Sequence, residues 1–153
     1  MTDLSGRAAD VSMWDARGRV LAAGFWNCHV HFSEPVWAGA PRAPARRHAA
    51  HDRSGLDAGG RVLFGTDVGY LRDYDIAGEL GALARCGVDG HSILRSLTTA
   101  PAAAFGRGDQ ARVAPGMAAD LTVLATCDPQ VTAKDFGRVA AVVKAGRLIH
   151  PAE

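Results

Sequence analysis

Hydrophobic and polar positions along the first third of the chain predict a short hairpin followed by a strand. Residues 11–14 and 19–21 are predicted to pair across a turn that contains Asp15 and Gly18, residue types that turns favour. Residues 25–32 are rich in aromatic and β-branched side chains. Such a run is typical of a buried strand.

The middle of the chain predicts one strand and two helices. Residues 61–64 form a short apolar run that favours a strand. A helix is predicted over about 75–85 and ends at Gly87, and a second begins after Asp89, a favourable N-cap residue. The second helix carries Ile93, Leu94 and Leu97 on one face before the chain reaches Pro101.

The last third of the chain returns to strands. Residues 120–124 predict one strand, and residues 139–143 pair with 147–149 in a hairpin that turns at Ala145 and Gly146. Residues 39–55, by contrast, contain no aliphatic side chain larger than alanine. Such a segment buries too little apolar surface to offset its ordering entropy, so we expect a flexible linker there.

Composition excludes several classes of function. The 153 residues are 48% hydrophobic, which is enough for the core of one domain, and 17 basic residues nearly balance 16 acidic ones. This balance gives no electrostatic footprint for nucleic acid or an anionic membrane, and no apolar stretch reaches the length of a membrane span. The three cysteines form no CxxC pair, so neither a disulfide framework nor a zinc knuckle is predicted, and we expect a cytoplasmic protein.

Three side chains stand out as candidates for chemistry. His29 and His31 lie two positions apart on a predicted strand, so their imidazoles project to the same face and suit one divalent metal ion. Asp67 follows the predicted strand 61–64, where a carboxylate can ligate a metal or act as a general base. Each has a structural alternative: histidines that bond to the backbone, and an aspartate that caps a turn.

Five segments of the chain carry a family resemblance: GFWNCHVHF at 24–32, VLFGTD at 62–67, SLTTAPA at 96–102, GMAADLTVL at 116–124 and residues 142–149. Together they resemble the metal-dependent amidohydrolase superfamily, nearest to its imidazolonepropionase-like and prolidase-like branch. The first two segments resemble the first and eighth strands of that family's barrel, the next two resemble its C-terminal signature, and the last resembles its closing hairpin. The resemblance covers roughly residues 17–37 and 57–150.

The resemblance implies an α/β remnant of a (β/α)₈ TIM barrel. Strands 1 and 8 of the barrel would remain with their following helices, next to a small β-sandwich built from the two termini. We expect truncated sandwich strands at 1–24, barrel strand 1 at 25–38, a linker replacing the missing barrel at 39–56, barrel strand 8 with C-terminal helices at 57–115, and sandwich strands at 116–153. A complete barrel takes about 250 residues, so its other units do not fit between His31 and Asp67.

By position in the family pattern, His29 and His31 match the first pair of metal ligands and Asp67 matches the last. The implied cofactor is a divalent metal ion, zinc by family expectation. The family's bridging lysine and middle histidines have no match, and we expect His48, His51, His91 and His150 to be solvated surface residues. Cys28 alternates to the opposite face from the histidines and is expected to pack in the core.

The resemblance implies a hydrolase of non-peptide C–N bonds in small-molecule amides, acting through metal-activated water with Asp67 as the proton shuttle. Because the middle ligands are missing, we expect little or no activity. Two alternatives stay open. One is a non-enzymatic remnant that forms a homo-oligomer to cover its exposed barrel strands, and the other is a passive metal-binding module.

Overall fold

The computed structural model describes residues 15–28, 62–66 and 76–151. Its regular elements are β1 (Leu21–Ala23), α1 (Ala77–Arg85), α2 (Gly90–Leu97), α3 (Thr99–Ala104), a 3₁₀ turn (Gly108–Gln110), β2 (Leu121–Leu124), α4 (Ala133–Phe136), β3 (Val139–Lys144) and β4 (Arg147–Pro151). Within these three stretches, no helix has both the length and the apolar character needed to cross a bilayer.

The four strands form one antiparallel sheet in the order β1-β2-β3-β4. Leu21 of β1 lies opposite Val123 of β2, and Thr122 lies opposite Val142 of β3. An early strand is thus paired with strands from the end of the chain, as the expected sandwich of both termini requires. Across the described ranges, however, the strands build a single sheet, and they show neither a second sheet nor a parallel barrel pair.

The turn before β1 lies where the sequence predicts it. Arg17 and Gly18 both have positive φ, at 50° and 73°, and the Asp15 carboxylate accepts a hydrogen bond from the backbone N–H of Arg17 at 2.8 Å. An aspartate that bonds two residues ahead in this way is typical of an Asx turn. The predicted hairpin partner, residues 11–14, lies outside the described residues.

The predicted hairpin at the end of the chain is confirmed as β3 and β4. Ala145 and Gly146 at its turn have φ values of 49° and 78°, a pattern typical of type I′ turns. Positive φ is unfavourable for alanine, and Asp120 holds this turn in place. Its carboxylate accepts a hydrogen bond from the Ala145 N–H at 2.7 Å and pairs with the Lys144 ammonium. The pKa of Asp120 is lowered, first by the Lys144 hydrogen bond and then by that of Ala145.

Both predicted helices are confirmed, with their ends where the sequence places them. At the end of α1, the Gly87 N–H donates to the Ala84 carbonyl at 2.9 Å and the Val88 N–H donates to the Leu83 carbonyl at 3.1 Å. This pair of bonds is a Schellman motif, for which the positive φ of Gly87, 79°, is suited. Since Val88 and Leu83 are both buried in the core, the motif also fixes how the chain leaves the helix.

Helix α2 begins at the predicted N-cap, where the Asp89 carboxylate accepts hydrogen bonds from the N–H of Ser92 at 2.9 Å and from its hydroxyl at 3.0 Å. Ile93 and Leu97 are fully buried, as the apolar face predicts. Helix α3, which contains Pro101, is not predicted by the sequence. Pro101 is tolerated because it lies in the first turn, where backbone N–H groups lack an intrahelical partner.

One main core connects the sheet to the helices. Phe136 at the end of α4 is fully buried and meets Phe25 edge to face, with ring centroids 6.1 Å apart. The buried members of this core are Phe64, Leu80, Leu83, Val88, Ile93, Leu97, Leu124, Ala133 and Phe136. The core therefore draws together segments that lie far apart along the chain, including the short stretch around Phe64.

The predicted strands 25–32 and 61–64 are wrong in one respect: their described parts belong to no β-ladder. The backbone of 24–28 nevertheless donates from alternate residues, from Gly24 to Asp120 at 2.8 Å and from Trp26 to Leu97 at 2.8 Å. Cys28 then donates to Phe64 at 2.9 Å. Alternate donors on one side are what an extended chain presents. The segment is bonded like a strand, but each bond goes to a different partner, so no ladder forms.

Two glycines in helix first turns allow a matched test of packing. A Cβ on Gly90 would lie 2.5 Å from the Val131 carbonyl oxygen, whereas a Cβ on Gly78 would meet nothing within 4 Å. We expect Gly90→Ala to lower the free energy of unfolding by about 1–3 kcal/mol, because backbone must shift to admit the methyl group. Gly78→Ala should raise it by about 0.5 kcal/mol or leave it unchanged. Urea denaturation of both variants measures this, and equal effects would contradict the close approach.

The hairpin turn should make stability depend on acid pH through Asp120. Because folding lowers the pKa of this carboxyl, its contribution is complete above its ordinary pKa of about 4 and disappears as pH falls through the lowered folded-state value. Asp120→Asn should therefore cost up to about 1 kcal/mol at pH 7 and flatten the loss of stability below pH 4. Glu79→Gln, which removes an exposed carboxylate, is the control. Thermal unfolding between pH 7 and pH 2.5 measures both, and parallel curves for wild type and Asp120→Asn would refute the assignment.

Candidate functional site

The predicted ligands His29, His31 and Asp67 lie outside the described residues, as do His48, His51 and the predicted linker. Within residues 15–28, 62–66 and 76–151, no three His, Cys, Asp or Glu side chains are grouped closely enough to hold a metal ion. The candidate site is therefore approached through the residues that come directly before its ligands, namely 27–28 and 64–66.

The end of helix α2 anchors both of these segments. The Ser96 carbonyl accepts a hydrogen bond from the Phe64 N–H at 3.1 Å, and the Leu97 carbonyl accepts one from the Trp26 N–H at 2.8 Å. Carbonyl groups in the last turn of a helix have no intrahelical partner, so they are free to accept bonds from other segments. Two stretches that are nearly 40 residues apart thus attach to adjacent residues of one helix.

The two segments also contact each other directly. The Cys28 N–H donates to the Phe64 carbonyl at 2.9 Å. The Asn27 side-chain oxygen accepts from the Thr66 N–H at 3.0 Å, while its amide nitrogen donates to the Thr66 hydroxyl at 3.1 Å and to the Thr66 carbonyl at 3.3 Å. Thr66 is buried, with 7% of its surface exposed. We name these three bonds the Asn27–Thr66 contact.

These contacts bear on the predicted ligands through chain connectivity. His29 follows Cys28 and Asp67 follows Thr66, and consecutive Cα atoms are about 3.8 Å apart across a trans peptide. The two segments therefore end, within the described region, at neighbouring positions. A shared site for a histidine pair and an aspartate requires this closeness at its starting points.

Cys28 is half-buried, and burial raises the pKa of its thiol. A raised pKa favours the neutral thiol, whereas the thiolate is the form that ligates metals and attacks electrophiles. This agrees with the expected packing role. His91 and His150 are exposed, which confirms the prediction that they are surface residues.

A cavity of about 290 Å³ lies elsewhere, between β1, α2 and residues 111–113. Its walls are mainly apolar, with Leu94, Val131 and Phe136 among the side chains that line it. None of residues 27–28 or 64–66 lines this cavity. It is therefore separate from the place where the predicted ligands leave the described chain.

Asn27 and Thr66 have no role in the prediction from sequence, although both lie in the motifs that carry it. The signal that identifies Asn27 is the same alternation that pairs the histidines, because residues 27, 29 and 31 share one face of an extended chain. For Thr66, the signal is its place directly before Asp67. Neither signal identifies which residue each side chain contacts, because the contact joins residues 39 positions apart.

Solved structures that are similar to this chain include the following three. A Xaa-Pro dipeptidase with bound methionine in its active site matches 67% of this chain and 25% of its own, at 22% identity and a TM-score of 0.59. A molinate hydrolase matches 67% of this chain and 26% of its own, at 25% identity and a TM-score of 0.53. A 5-methylcytosine deaminase from Klebsiella pneumoniae, liganded with phosphonocytosine, matches 65% and 27%, at 25% identity and a TM-score of 0.51.

The chain thus spans about a quarter of the length of these solved structures. A comparison with curated proteins found no match. The family model described as "Amidohydrolase family" matches residues 40–149, which is well over half of the 153 residues, and this range includes Asp67 but not His29 or His31. Such kinship implies a fold derived from a TIM barrel. The described residues themselves form a small four-stranded antiparallel sheet with a few helices. On this evidence the chain belongs to the amidohydrolase family.

Proposed function

We propose that this chain binds one zinc ion through His29, His31 and Asp67 and hydrolyses non-peptide C–N bonds of small amides, at a rate far below that of a protein with the full ligand set. The observation that carries the proposal is the direct bonding between 27–28 and 64–66, the residues that precede the three ligands. Membership of the amidohydrolase family supports the reaction class.

The donor set suits a catalytic zinc ion. Two neutral imidazoles and one carboxylate are a common set of three protein ligands, and they leave a fourth position open. Among the residues that the structure describes, no three His, Cys, Asp or Glu side chains are grouped closely enough to form a rival metal site. The residues present therefore fit a single zinc ion.

A second metal ion does not fit the lysines of this chain. The resemblance implies that a modified lysine, or a glutamate, bridges two metals, and the only lysines of the sequence are Lys134 and Lys144. Lys144 pairs with Asp120 at the hairpin turn, and Lys134 lies in helix α4. Neither belongs to the segments that lead to the proposed ligands, so we propose a site for one metal ion.

In the proposed reaction, His29, His31 and Asp67 would hold the zinc ion, which would supply Lewis acidity and lower the pKa of a water molecule. The Asp67 carboxylate accepts the proton that this water loses and then donates it to the nitrogen of the leaving amine. The oxygen of the water forms the new bond to the carbonyl carbon as the C–N bond breaks. The two histidines would hold the zinc ion throughout, and the reactants are water and the small-molecule amide.

Zinc content is the direct test. The purified protein should contain close to one zinc ion per chain, and the double variant His29→Ala/His31→Ala should lose it, because two of its three ligands are gone. The matched control is His91→Ala/His150→Ala, which removes two exposed imidazoles outside the proposed site. Elemental analysis after gel filtration measures all three proteins.

Wild-type protein without zinc, or a double variant that retains it, would refute the proposed site. If zinc is present as expected, a panel of small cyclic amides and dipeptide-like amides tests turnover. Hydrolysis that disappears in His29→Ala/His31→Ala but persists in the control would support the proposed activity. Full occupancy without turnover would refute the hydrolytic part and leave a passive metal-binding module.

A second candidate function is that of a non-enzymatic protein that assembles with copies of itself. Strand β4 lies at the edge of the described sheet, and its residues Leu148 and Ile149 are 45% and 61% exposed. Exposed apolar residues on an edge strand favour association. This hypothesis needs no metal.

Sedimentation velocity distinguishes this candidate. If self-association through β4 is the function, the protein should sediment as a dimer or larger species at about 50 µM, and Ile149→Lys should shift it to monomer, because a charge on an edge strand opposes pairing. Val113→Lys, which changes another exposed apolar residue, is the control. A monodisperse wild-type monomer would contradict this candidate.

A further inference from the structure

The Asn27–Thr66 contact makes an asparagine side chain serve in place of a peptide group. An asparagine amide offers one carbonyl acceptor and N–H donors, the same groups that a peptide offers. Asn27 uses both sides of its amide, accepting from the Thr66 N–H and donating to the Thr66 carbonyl and hydroxyl. It thus binds both backbone polar groups of one residue on the other segment.

The burial of Thr66 makes these bonds important, although Asn27 itself is an exposed residue. Thr66 is 7% exposed, and buried backbone N–H and C=O groups are almost always paired in folded proteins. Loss of the Asn27 side chain would remove its acceptor for the Thr66 N–H and its donor for the Thr66 carbonyl. The segment would then have to move to find other partners or admit water.

The contact also gives the two segments a second point of attachment. The bond from Cys28 to Phe64 is one direct point, and the end of α2 holds both segments through its bonds to Trp26 and Phe64. The Asn27–Thr66 contact lies two residues further along the second segment, at the residue directly before Asp67, and restrains that end of it. Metal–ligand distances in a well-formed site lie within about 0.2 Å of their standard values, so the relative orientation of the two segments matters for zinc binding.

We propose that Asn27 is a positioning residue whose side-chain amide fixes Cys28 and Thr66 relative to each other and so raises the zinc affinity of the site formed by His29, His31 and Asp67. This inference rests on the proposed function. Asn27 itself is not among the proposed ligands. It acts through the backbone of the segments from which those ligands continue.

The test compares Asn27→Ala with Asp89→Ala. Each substitution removes a side chain that bonds to a backbone N–H and to a hydroxyl, but the Asp89 bonds are at the start of helix α2. Asn27→Ala should raise the zinc dissociation constant by about 10–100-fold, the effect of losing a group that orients ligands. Asp89→Ala should leave it within about twofold, even if it lowers stability equally, because distant sites act independently. Competition with a fluorescent zinc chelator measures both.

Substitutions of Thr66 test the partner's side chain. Thr66→Ser keeps the hydroxyl that accepts from Asn27, so it should bind zinc as the wild type does. Thr66→Val keeps the shape and loses the hydroxyl, so it should weaken zinc binding, though less than Asn27→Ala, because the backbone bonds remain. A Thr66→Val protein with unchanged affinity would show that the hydroxyl does not contribute.

Hydrogen exchange of the metal-free protein tests the Asn27–Thr66 contact directly. In Asn27→Ala, the amides of Cys28 and Thr66 should exchange at least about tenfold faster, while the α2 amides keep their protection. Unchanged protection at both amides would overturn the inference whether or not the protein binds zinc. If the wild type binds no zinc, the proposed function and the predicted effect on zinc affinity fail together. If it binds zinc and Asn27→Ala binds equally tightly, only this inference fails.

Discussion

The extended backbone of residues 24–28 is the constraint on which the rest of the described structure depends. Its alternate N–H groups donate to three separate parts of the chain: the residue before β2, the end of α2 and the segment around Phe64. An extended chain directs every second donor to the same side, so one short segment can join the sheet, the helices and the second site-bearing segment. Phe25, between two of these donors, adds its ring to the core against Phe136.

This arrangement explains which features the sequence could predict. Local signals are strong where a single residue determines the backbone. Gly87 ends α1, Asp89 begins α2, and Ala145–Gly146 turn the final hairpin, and each is confirmed. The extended state of 25–28 is also visible in its aromatic residues, Phe25 and Trp26. What the sequence does not reveal is the partner of each donor, because the three acceptors lie about 35 to 95 residues further along the chain.

The same distinction between local signals and long-range contacts applies to the candidate site. The resemblance to the amidohydrolase family points to His29, His31 and Asp67 by spacing and context alone, and these remain predictions because they lie outside the described residues. Asn27 and Thr66 are different, since their importance depends on a contact across 39 positions. Alternation could have placed Asn27 on the face of the histidines, but no local rule could have paired it with a threonine next to the aspartate. Long-range hydrogen bonds of this kind are evident only once the fold is known.

The end of helix α2 shows how a fold can hold a site without contributing a ligand. The carbonyl groups of Ser96 and Leu97 accept hydrogen bonds from the two segments. The buried face of α2 packs in the main core and so fixes the position of these carbonyls. Ser96 adds its own bond, from its hydroxyl to the Ile93 carbonyl at 2.7 Å. The position of the segments is therefore a consequence of core packing, because Ile93 and Leu97 belong to the same buried core as Phe136 and Leu124. In a chain that spans about a quarter of the length of its structural relatives, this route from core to helix end to extended segment brings the two segments together.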